Sequence, residues 1–262
     1  MNEDKATPLL SIITICFNSV ATISDTFKSL QCLAEFSPGL VEYLIVDGGS
    51  TDGTQNIAQS QTQLPIQIVS ERDSGLYDAM NKGLARAQGK YVWYLNADDM
   101  LSSSAALICV LERLQRDAPD ILVTDIEMVD STSTNRVVRR WRSFGWFNQV
   151  ALGWHPPHPG FIARRVLLQK LHGFNLTYKI AADVDLMIRA WRRAALKVYE
   201  PVVLVKMRTG GASNGTIKGI LQANREVLHS LWQERVYSAP LAVLLKLSRK
   251  VVQVLRHRLS DR

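Results

Sequence analysis

Residues 91–99 read YVWYLNADD. Aromatic and β-branched residues dominate the start of this stretch, which predicts a buried β-strand. The strand would end directly before two adjacent carboxylates, Asp98 and Asp99. Open α/β sheets bind ligands at the carboxyl ends of their strands, and paired carboxylates suit a hard cation such as Mg²⁺ or Mn²⁺. Taken alone, such a pair is more often a turn or a helix cap, so the other motifs must decide.

Strand-like and helix-like segments alternate on both sides of this stretch. The predicted strands are residues 9–16, 41–46, 66–69, 91–95, 120–129, 137–141 and 196–208. The predicted helices are residues 21–33, 55–61, 76–87 and 181–195, with a further helix capped at residues 102–104. This alternation predicts a Rossmann-like α/β fold with a mostly parallel central sheet flanked by helices. Right-handed crossovers would place the loops after the first four strands along one edge of the sheet.

The bulk composition is that of a folded protein. The chain has 262 residues, of which 47% are hydrophobic and 21% are charged. Its three cysteines lie far apart without a CxxC spacing, which argues against a disulfide framework and a zinc site. The polar N-terminus lacks the pattern of a signal peptide, and no apolar run approaches the ~20 residues of a membrane span. We therefore expect a cytoplasmic protein.

The positive charge is concentrated at the C-terminus. Residues 240–262 carry six Lys and Arg against one Asp, whereas the net charge of the whole chain is +7. This distribution argues against a nucleic-acid partner. From Leu241 onward, apolar and basic residues fall on opposite helical faces, which predicts peripheral contact with an anionic membrane surface. A helix packed on the domain with a solvated basic side is the alternative. We expect a domain at residues 1–213 and a helical extension at residues 214–262.

A glycine-rich turn follows the second predicted strand. Residues 47–54 read DGGSTDGT, in which the glycines permit positive φ and close approach of a ligand. Asp47 could accept hydrogen bonds from a base or a ribose. The turn has neither the GxGxxG fingerprint of dinucleotide-binding dehydrogenases nor the GxxxxGK[ST] loop of P-loop ATPases. A plain turn that caps a helix is the alternative interpretation.

Residues 72–83, RDSGLYDAMNKG, place many polar groups at a strand-to-helix junction. Arg72 and Asp73 precede the helix, at the expected ligand edge. The apolar residues of the helix form a stripe that is predicted to face the core. Asp78 and Lys82 are four residues apart and predict a modest surface ion pair.

Four segments together resemble a known family. They are SIITICFN (residues 11–18), VDGGSTDGT (46–54), DSGLYDAMNKG (73–83) and YLNADD (94–99). In this order they resemble the family 2 inverting glycosyltransferases of the GT-A fold, of the bacterial polysaccharide, colanic-acid or O-antigen type. The resemblance is strong over residues 9–100, fair to residue 213 and absent beyond.

The resemblance implies a nucleotide-diphosphate sugar, linked to UDP or GDP, as the donor. Asp47 would hold the base, Asp98 the ribose, and Asp99 an Mn²⁺ or Mg²⁺ ion that bridges the diphosphate. The implied nucleotide-sugar contacts are Asn18, Asp47, Arg72, Asp73 and Asp98. Residues 96–99, NADD, are a variant of the family's DxD motif, so the assignment of the metal ligand between the two aspartates is an inference.

An inverting transfer also needs a base that deprotonates the acceptor hydroxyl. Family members carry this base on a late Glu-Asp or Gly-Asp at a helix start, followed by an Arg. Residues 181–189, AADVDLMIR, match this pattern best with Asp183 as the base, although Ala182 replaces the usual Glu or Gly. Asp185 is the alternative base, or else a first-turn acid that the helix dipole favours.

Two further segments are assigned by the resemblance. His158 would line the acceptor side of the cleft, whereas we interpret His155 as a hydrogen-bonding residue of the loop at 144–160. The pair lacks a third nearby ligand for zinc. Arg208 and Ser213 would belong to a glycine-containing loop that closes on the diphosphate. A simple strand-to-helix connection is the alternative for that loop.

The acceptors of bacterial relatives imply a lipid-linked saccharide and a position at the inner face of the plasma membrane. Two other functions stay open on the sequence. A nucleotidyltransferase would carry a glycine-rich, basic loop after the first strand, where this chain has Phe17-Asn18-Ser19. A catalytically silent nucleotide-sugar-binding scaffold is the second alternative, and the full set of aspartates argues against it.

Overall fold

The computed structural model describes residues 7–36, 39–64, 66–143, 155–210 and 217–236. The strands are β1 (Leu10–Cys16), β2 (Val41–Asp47), β3 (Ile66–Ser70), β4 (Tyr91–Tyr94), β5 (Met100–Leu101), β6 (Ile121–Val129), β7 (Val137–Trp141), β8 (Phe161–Arg164) and β9 (Lys197–Arg208). The helices are α1 (Ile23–Ser29), α2 (Thr54–Gln59), α3 (Leu76–Arg86), α4 (Ser104–Asp117), α5 (Arg165–Lys170), α6 (Ala182–Arg193) and α7 (Ile217–Gln233). Short 3-10 helices span Gln31–Glu35 and His158–Gly160. The helix predicted at 21–33 is therefore shorter and continues as a 3-10 turn.

The first four strands form a parallel half of the sheet. They lie in the order β3-β2-β1-β4, and each neighbouring pair is parallel. The direction of winding reverses at β1, because β2 and β4 lie on its two sides. An open α/β sheet forms its ligand crevice at such a reversal, beyond the carboxyl ends of the strands. The loops after these four strands meet at one edge, as predicted.

The second half of the sheet mixes strand directions. β8 lies antiparallel between β4 and β6, β9 is parallel to β6, and β5 is antiparallel to β9. β7 pairs antiparallel with β6. The α/β fold with flanking helices is confirmed, with parallel pairing in β1–β4 and in the β6–β9 pair. The sequence does not predict β5 and β8, because strands of two and four residues are too short to show a period.

Helices cover both faces of the parallel half. All seven residues of β1 are buried, with Ile13 and Ile15 in one core cluster and Ile12 in the other. Residues of α3 and α6 fill the first cluster, and residues of α1 and α4 fill the second. Burial on both faces explains why β1 reads as a nearly continuous apolar run rather than an alternating one.

Helix α7 is part of the first core cluster. Its residues Val227 and Leu231 pack there together with residues of α6. The extension expected at 214–262 therefore includes an element of the main core. Residues 237–262, which include the whole basic segment 240–262, lie outside the described residues. Within the described ranges, we find no helix with the length and apolar character needed to cross a membrane.

Candidate active site

Asp47 ends β2 and organises the turn that follows. Its buried carboxylate accepts hydrogen bonds from the Ser50 backbone N–H (3.1 Å), the Ser50 hydroxyl, Gln55 Nε2 (2.7 Å) and Ser70 Oγ (2.7 Å). Burial alone would raise the pKa of Asp47, but these hydrogen bonds, led by that from Ser50, hold it below its usual value of 3.8. Asp47 is therefore a carboxylate at neutral pH, and it already shapes the turn without a ligand.

The loop after β1 is tied to this turn. The Asn18 backbone N–H donates to Ser50 Oγ (2.8 Å), and Asn18 Oδ1 accepts from the Thr51 backbone N–H (3.0 Å). Asn18 adopts a left-handed conformation (φ 49°), which asparagine tolerates better than most residues. Next to it, the Phe17 ring is 63% exposed at the carboxyl end of β1. An exposed aromatic ring beside Asp47 gives this edge a flat apolar face.

Asp73 approaches the turn from the loop between β3 and α3. A Cβ atom at Gly48 would lie 2.5 Å from Asp73 Oδ2, so only glycine permits this approach. Asp73 Oδ1 accepts from the Gly75 backbone N–H (2.9 Å). The exposed Arg72 side chain passes over Gly49, where a Cβ atom would lie 3.5 Å from Arg72 Cγ. Asn18, Asp47, Arg72 and Asp73 thus meet at one edge, as predicted.

The two aspartates after β4 have opposite environments. Asp98 is exposed, whereas Asp99 is 1% exposed. Asp99 Oδ2 accepts from Asn96 Nδ2 (3.4 Å), but Asp99 Oδ1 and Asn96 Oδ1 are buried without a hydrogen-bond partner among the described residues. Burial, and secondly the charge of Asp98, raise the pKa of the Asp99 carboxyl well above its usual value of 3.8.

Buried acceptor atoms without partners are what a bound cation or a proton would satisfy. The described residues hold no cluster of three or more His, Cys, Asp or Glu side chains that could bind a metal by itself. The donor set at the end of β4 therefore fits a divalent ion that takes its remaining ligands from a substrate or from water, as Mg²⁺ commonly does.

Arg208 ends β9 beneath these aspartates. Its guanidinium donates to the Asp98 carbonyl (3.0 Å), the Ser131 carbonyl (3.2 Å) and Asp25 Oδ2 (2.5 Å). Arg208 is thus held beside Asp98 by three contacts. Its assignment to a loop that closes on the diphosphate stays a prediction. Ser213, predicted in the same loop, lies outside the described residues.

Asp183 and Asp185 lie in the first turn of α6 but have different partners. Asp183 is half-buried, and its Oδ1 accepts from Tyr77 Oη (3.2 Å). Tyr77 Oη also donates to the Ile180 carbonyl (2.6 Å). Asp185 is buried, with Oδ2 bound by Arg189 (2.7 Å) and Oδ1 bound by Ser230 Oγ (2.7 Å). Both oxygens of Asp185 are therefore engaged, and Asp183 is the better placed of the two to accept a proton.

His158 lies in an aromatic cluster near Asp183. Its ring stacks on Tyr94 (5.6 Å between centroids) and meets the edge of Phe174 (5.8 Å). Burial lowers the pKa of His158, and the charge of Asp183 opposes this shift in part. A neutral imidazole and a carboxylate thus share this side of the crevice. His155 Nδ1 contacts the Pro156 carbonyl (2.9 Å), in line with its interpretation as a loop residue.

The family follows from comparison with known sequences. The profile described as glycosyl transferase family 2 matches residues 11–181. A PGL/p-HBAD biosynthesis glycosyltransferase of Mycobacterium bovis (strain BCG / Pasteur 1173P2) is 31% identical over 216 residues, which cover 81% of each chain. This chain belongs to glycosyl transferase family 2. It is therefore a glycosyltransferase, and we set the nucleotidyltransferase and scaffold alternatives aside.

Solved structures share the GT-A fold. S. aureus TarS 1–349 in complex with UDP-GlcNAc superposes with a TM-score of 0.67 at 18% identity, over 85% of this chain and 66% of that one. The mannosyltransferase PcManGT from Pyrobaculum calidifontis, in complex with GDP-Man and Mn²⁺, gives a TM-score of 0.62 at 16% identity. That match covers 95% of this chain and 75% of PcManGT. The chain spans slightly less than two thirds of the TarS fragment.

In this family 2 glycosyltransferase, side chains of α3 hold neighbouring loops of the site, whereas the sequence predicted only a core-facing stripe and one surface ion pair for this helix. Asn81 pairs with the backbone of Phe174 through Nδ2 (2.9 Å) and Oδ1 (2.8 Å). The predicted pair of Asp78 and Lys82 is present (3.5 Å), but Asp78 also accepts from the Ser74 backbone N–H and Lys82 donates to the Arg72 carbonyl. The many polar residues at this strand-to-helix junction were the feature of the sequence that pointed to these contacts.

Proposed function

We propose that this family 2 glycosyltransferase is a metal-dependent, inverting enzyme of polysaccharide biosynthesis. It would move a sugar from a nucleotide-diphosphate sugar to a hydroxyl of a lipid-linked saccharide. The environment of Asp183 is the observation that carries this proposal. One oxygen of its carboxylate is held by Tyr77, and the other accepts no hydrogen bond from the described residues. A half-buried carboxylate with one free oxygen at the crevice edge suits a general base.

The donor nucleotide would bind at the edge formed by β1, β2 and β3. Phe17 offers a face for stacking, and Asn18, Arg72 and Asp73 surround the turn at Asp47. The side-chain amide of Gln55 is the Asp47 partner that a base N–H could replace, because Gln55 also reaches Ser70 Oγ (2.8 Å). TarS binds UDP-GlcNAc and PcManGT binds GDP-Man in the same fold, which supports a UDP- or GDP-linked sugar.

Asp98 and Asp99 would hold Mn²⁺ or Mg²⁺ and the ribose. The unpartnered Oδ1 of Asp99 supports its assignment as a metal ligand, and the exposure of Asp98 supports direct contact with the donor. A bound divalent ion would stabilise the negative charge of the departing diphosphate. Arg208 would add positive charge from its fixed position beside Asp98.

The transfer step assigns the proton to Asp183. The acceptor hydroxyl oxygen forms a bond to the anomeric carbon while the bond from that carbon to the diphosphate breaks. The hydroxyl proton passes to the free oxygen of Asp183, and the electron pair of the broken bond leaves with the nucleoside diphosphate. Attack in line with the leaving group inverts the anomeric configuration. His158 would line the acceptor side of this arrangement.

The acceptor side would face a membrane, at the inner face of the plasma membrane. The outer face of α7 exposes Leu221 (65%) and Trp232 (55%) together with the cationic side chains of Lys218 and Arg225. Exposed aromatic and aliphatic residues beside cations suit an anionic lipid surface. The basic segment 240–262, which follows α7 in the sequence, carries a net charge of +5.

A ligand screen tests the proposed donor site. We would measure the melting temperature with UDP, GDP, dTDP and CMP, each with Mn²⁺ or with EDTA. A metal-dependent rise with one nucleoside diphosphate is expected, because ligand at ~100 times its dissociation constant adds about 2.7 kcal/mol. Asp98→Asn should lose this rise, whereas Glu112→Gln, which removes an exposed carboxylate on α4, should keep it. No shift with any nucleotide would contradict the proposal.

A further inference from the structure

Glu226 on α7 is a buried carboxylate to which no role has yet been assigned. It is 9% exposed and lies outside the part of the chain that matches the family profile, residues 11–181. Its Oε1 accepts from the Lys179 backbone N–H (3.0 Å) and from Gln222 Nε2 (3.0 Å). Its Oε2 accepts from the backbone N–H groups of Ile180 (3.0 Å) and Ala181 (2.8 Å).

These hydrogen bonds keep the carboxylate charged. Burial would raise the pKa of Glu226, but the bonds from the three backbone N–H groups outweigh it and hold the pKa below its usual value of 4.5. Hydrogen bonds to an ionised acceptor are about twice as strong as neutral ones. Glu226 is therefore a firm anchor for three consecutive residues of the backbone.

The anchored segment leads directly into Asp183. Residues 179–181 precede α6, and Asp183 is the second residue of that helix. Tyr77 also holds this segment, since the single proton of its hydroxyl is shared between the Ile180 carbonyl (2.6 Å) and Asp183 Oδ1 (3.2 Å). Two helices that are distant in sequence, α3 and α7, thus fix the position of one carboxylate.

We infer that Glu226 is a positioning residue for the proposed base Asp183. By binding the backbone of residues 179–181, it sets the start of α6 so that Asp183 presents its free oxygen to the acceptor hydroxyl. The inference rests on the proposed function, which assigns Asp183 as the base. It adds α7, an element outside the family profile, to the parts of the enzyme that determine the rate of transfer.

Glu226→Gln is the test variant, because its side chain keeps the size of glutamate but loses the charge and one acceptor. Glu234→Gln is the matched control. Glu234 follows the last residue of α7 and also binds α6, through Arg192 (3.2 Å) and Arg193 (2.9 Å), but at the far end of that helix. A loss of general stability would affect both variants, whereas a loss of positioning would affect only Glu226→Gln.

The assay measures hydrolysis of the donor, in which water takes the place of the acceptor hydroxyl. UDP-GlcNAc or GDP-mannose is supplied with Mn²⁺, and the released UDP or GDP is quantified. In Glu226→Gln, kcat should fall by about 10- to 100-fold, because small misplacements of a catalytic group are costly. The donor KM should stay unchanged. Hydrogen exchange should accelerate at the amides of residues 179–181 and not at those of Val227 and Leu231.

The outcomes separate the two claims. If exchange accelerates at residues 179–181 while kcat is retained, the positioning role is wrong. The same conclusion follows if Glu234→Gln loses as much kcat as Glu226→Gln. If Asp183→Asn keeps its kcat, the base assignment is wrong and the inference about Glu226 falls with it. If Glu226→Gln fails to fold, Glu226→Asp takes its place, because it retains the charge on a shorter side chain. Its kcat and its hydrogen exchange at residues 179–181 are then compared with those of Glu234→Gln.

Discussion

At the scale of single residues, this site shows how environment separates chemically identical groups. Asp183 and Asp185 are two positions apart on α6, yet Asp185 is closed off by Arg189 and Ser230. Asp183 keeps a free oxygen at the crevice. Asp98 and Asp99 are adjacent, yet one is exposed and the other is buried with an unpartnered oxygen. In both pairs, local packing rather than residue type determines which chemistry each carboxylate can perform.

The pair on α6 gives the first prediction. Asp183→Asn should lower kcat by about 10²- to 10⁴-fold with little change in stability, because it removes the proposed base. Asp185→Asn should instead cost about 3–5 kcal/mol of folding free energy, because it breaks a buried ion pair and leaves Arg189 without its anionic partner. Turnover assays and urea denaturation of both variants measure the two effects. The assignment of Asp183 fails if the folded Asp185→Asn protein is the one that loses turnover.

The raised pKa of Asp99 gives a prediction about pH. Below its usual pKa of 3.8 the carboxyl is protonated in both the folded and the unfolded state. As the pH rises above that value, the unfolded chain ionises while the buried group resists, so the free energy of unfolding falls. In metal-free protein, Asp99→Asn should therefore melt higher than wild type at neutral pH, and this difference should shrink towards pH 4.

The control for this prediction is Glu112→Gln, which removes an exposed carboxylate on α4 and should leave the difference from wild type independent of pH. Asp98 does not serve as the control, because its charge contributes to the raised pKa of Asp99. Melting temperatures measured in EDTA across the pH range give the comparison. Equal melting of wild type and Asp99→Asn at every pH would contradict the burial of an unpartnered oxygen at this position. Addition of Mn²⁺ should then stabilise wild type more than Asp99→Asn.

At the scale of elements, α3 connects the proposed donor edge to the proposed acceptor side. Its start carries the loop with Arg72 and Asp73, and its side chains Tyr77 and Asn81 reach the segments at Ile180 and Phe174. The helix lies close against β1, because a Cβ atom at Gly83 would lie 2.6 Å from Ile13 Cγ2. The position of α3 against the sheet therefore sets the spacing between the two sides of the crevice.

Gly83→Ala should push α3 away from β1. Overpacking of a buried contact costs about 1–3 kcal/mol, even though alanine favours a helix over glycine by about 1 kcal/mol. Ala85→Gly, on the exposed face of the same helix, should cost only the helix propensity. Chemical denaturation of both variants measures the two costs. A Gly83→Ala protein that is more stable than wild type would show that the helix can shift without penalty.

At the scale of the whole molecule, the carboxyl ends of the strands gather the residues of the proposed donor side, and α6 with α7 would form the proposed acceptor side. The basic segment 240–262 lies C-terminal to α7 in the sequence and carries a net charge of +5. This arrangement would bring a membrane-bound acceptor to the side of the crevice that carries Asp183. The position of the membrane would then follow from the fold rather than from a separate anchor.

Deletion of residues 240–262 tests this arrangement. The full chain should co-sediment with vesicles that contain phosphatidylglycerol, and the deletion should weaken binding because it removes a net charge of +5. Trp232→Ser in the full chain should also weaken binding relative to wild type, since it removes an exposed ring from the α7 face. Vesicles of phosphatidylcholine alone are the control. Unchanged sedimentation after the deletion would rule out the basic segment as the membrane contact.

Short sequence patterns by themselves determine several strands, the turn that carries Asp47 and the family of this protein. The apolar run of β1, the turn at residues 47–54 and the strand before Asp98 each depend on neighbours in sequence, so they could be predicted together with the family and the edge where the motifs meet. Asn18, Asp47, Asp98 and Asp99 were found because they lie in or directly beside those short motifs, whereas Asp183 was assigned by the family resemblance of residues 181–189.

Tertiary structure alone decided the environment of each site residue. The contacts that distinguish Asp183 from Asp185 come from Tyr77 and Ser230, which lie 106 and 45 residues away along the chain. The anchor formed by Glu226 and the burial of Asp99 likewise depend on elements brought together by folding. Short-range patterns carry no information about such distant partners, because hydrogen-bond geometry and desolvation are set by packing and not by spacing along the chain.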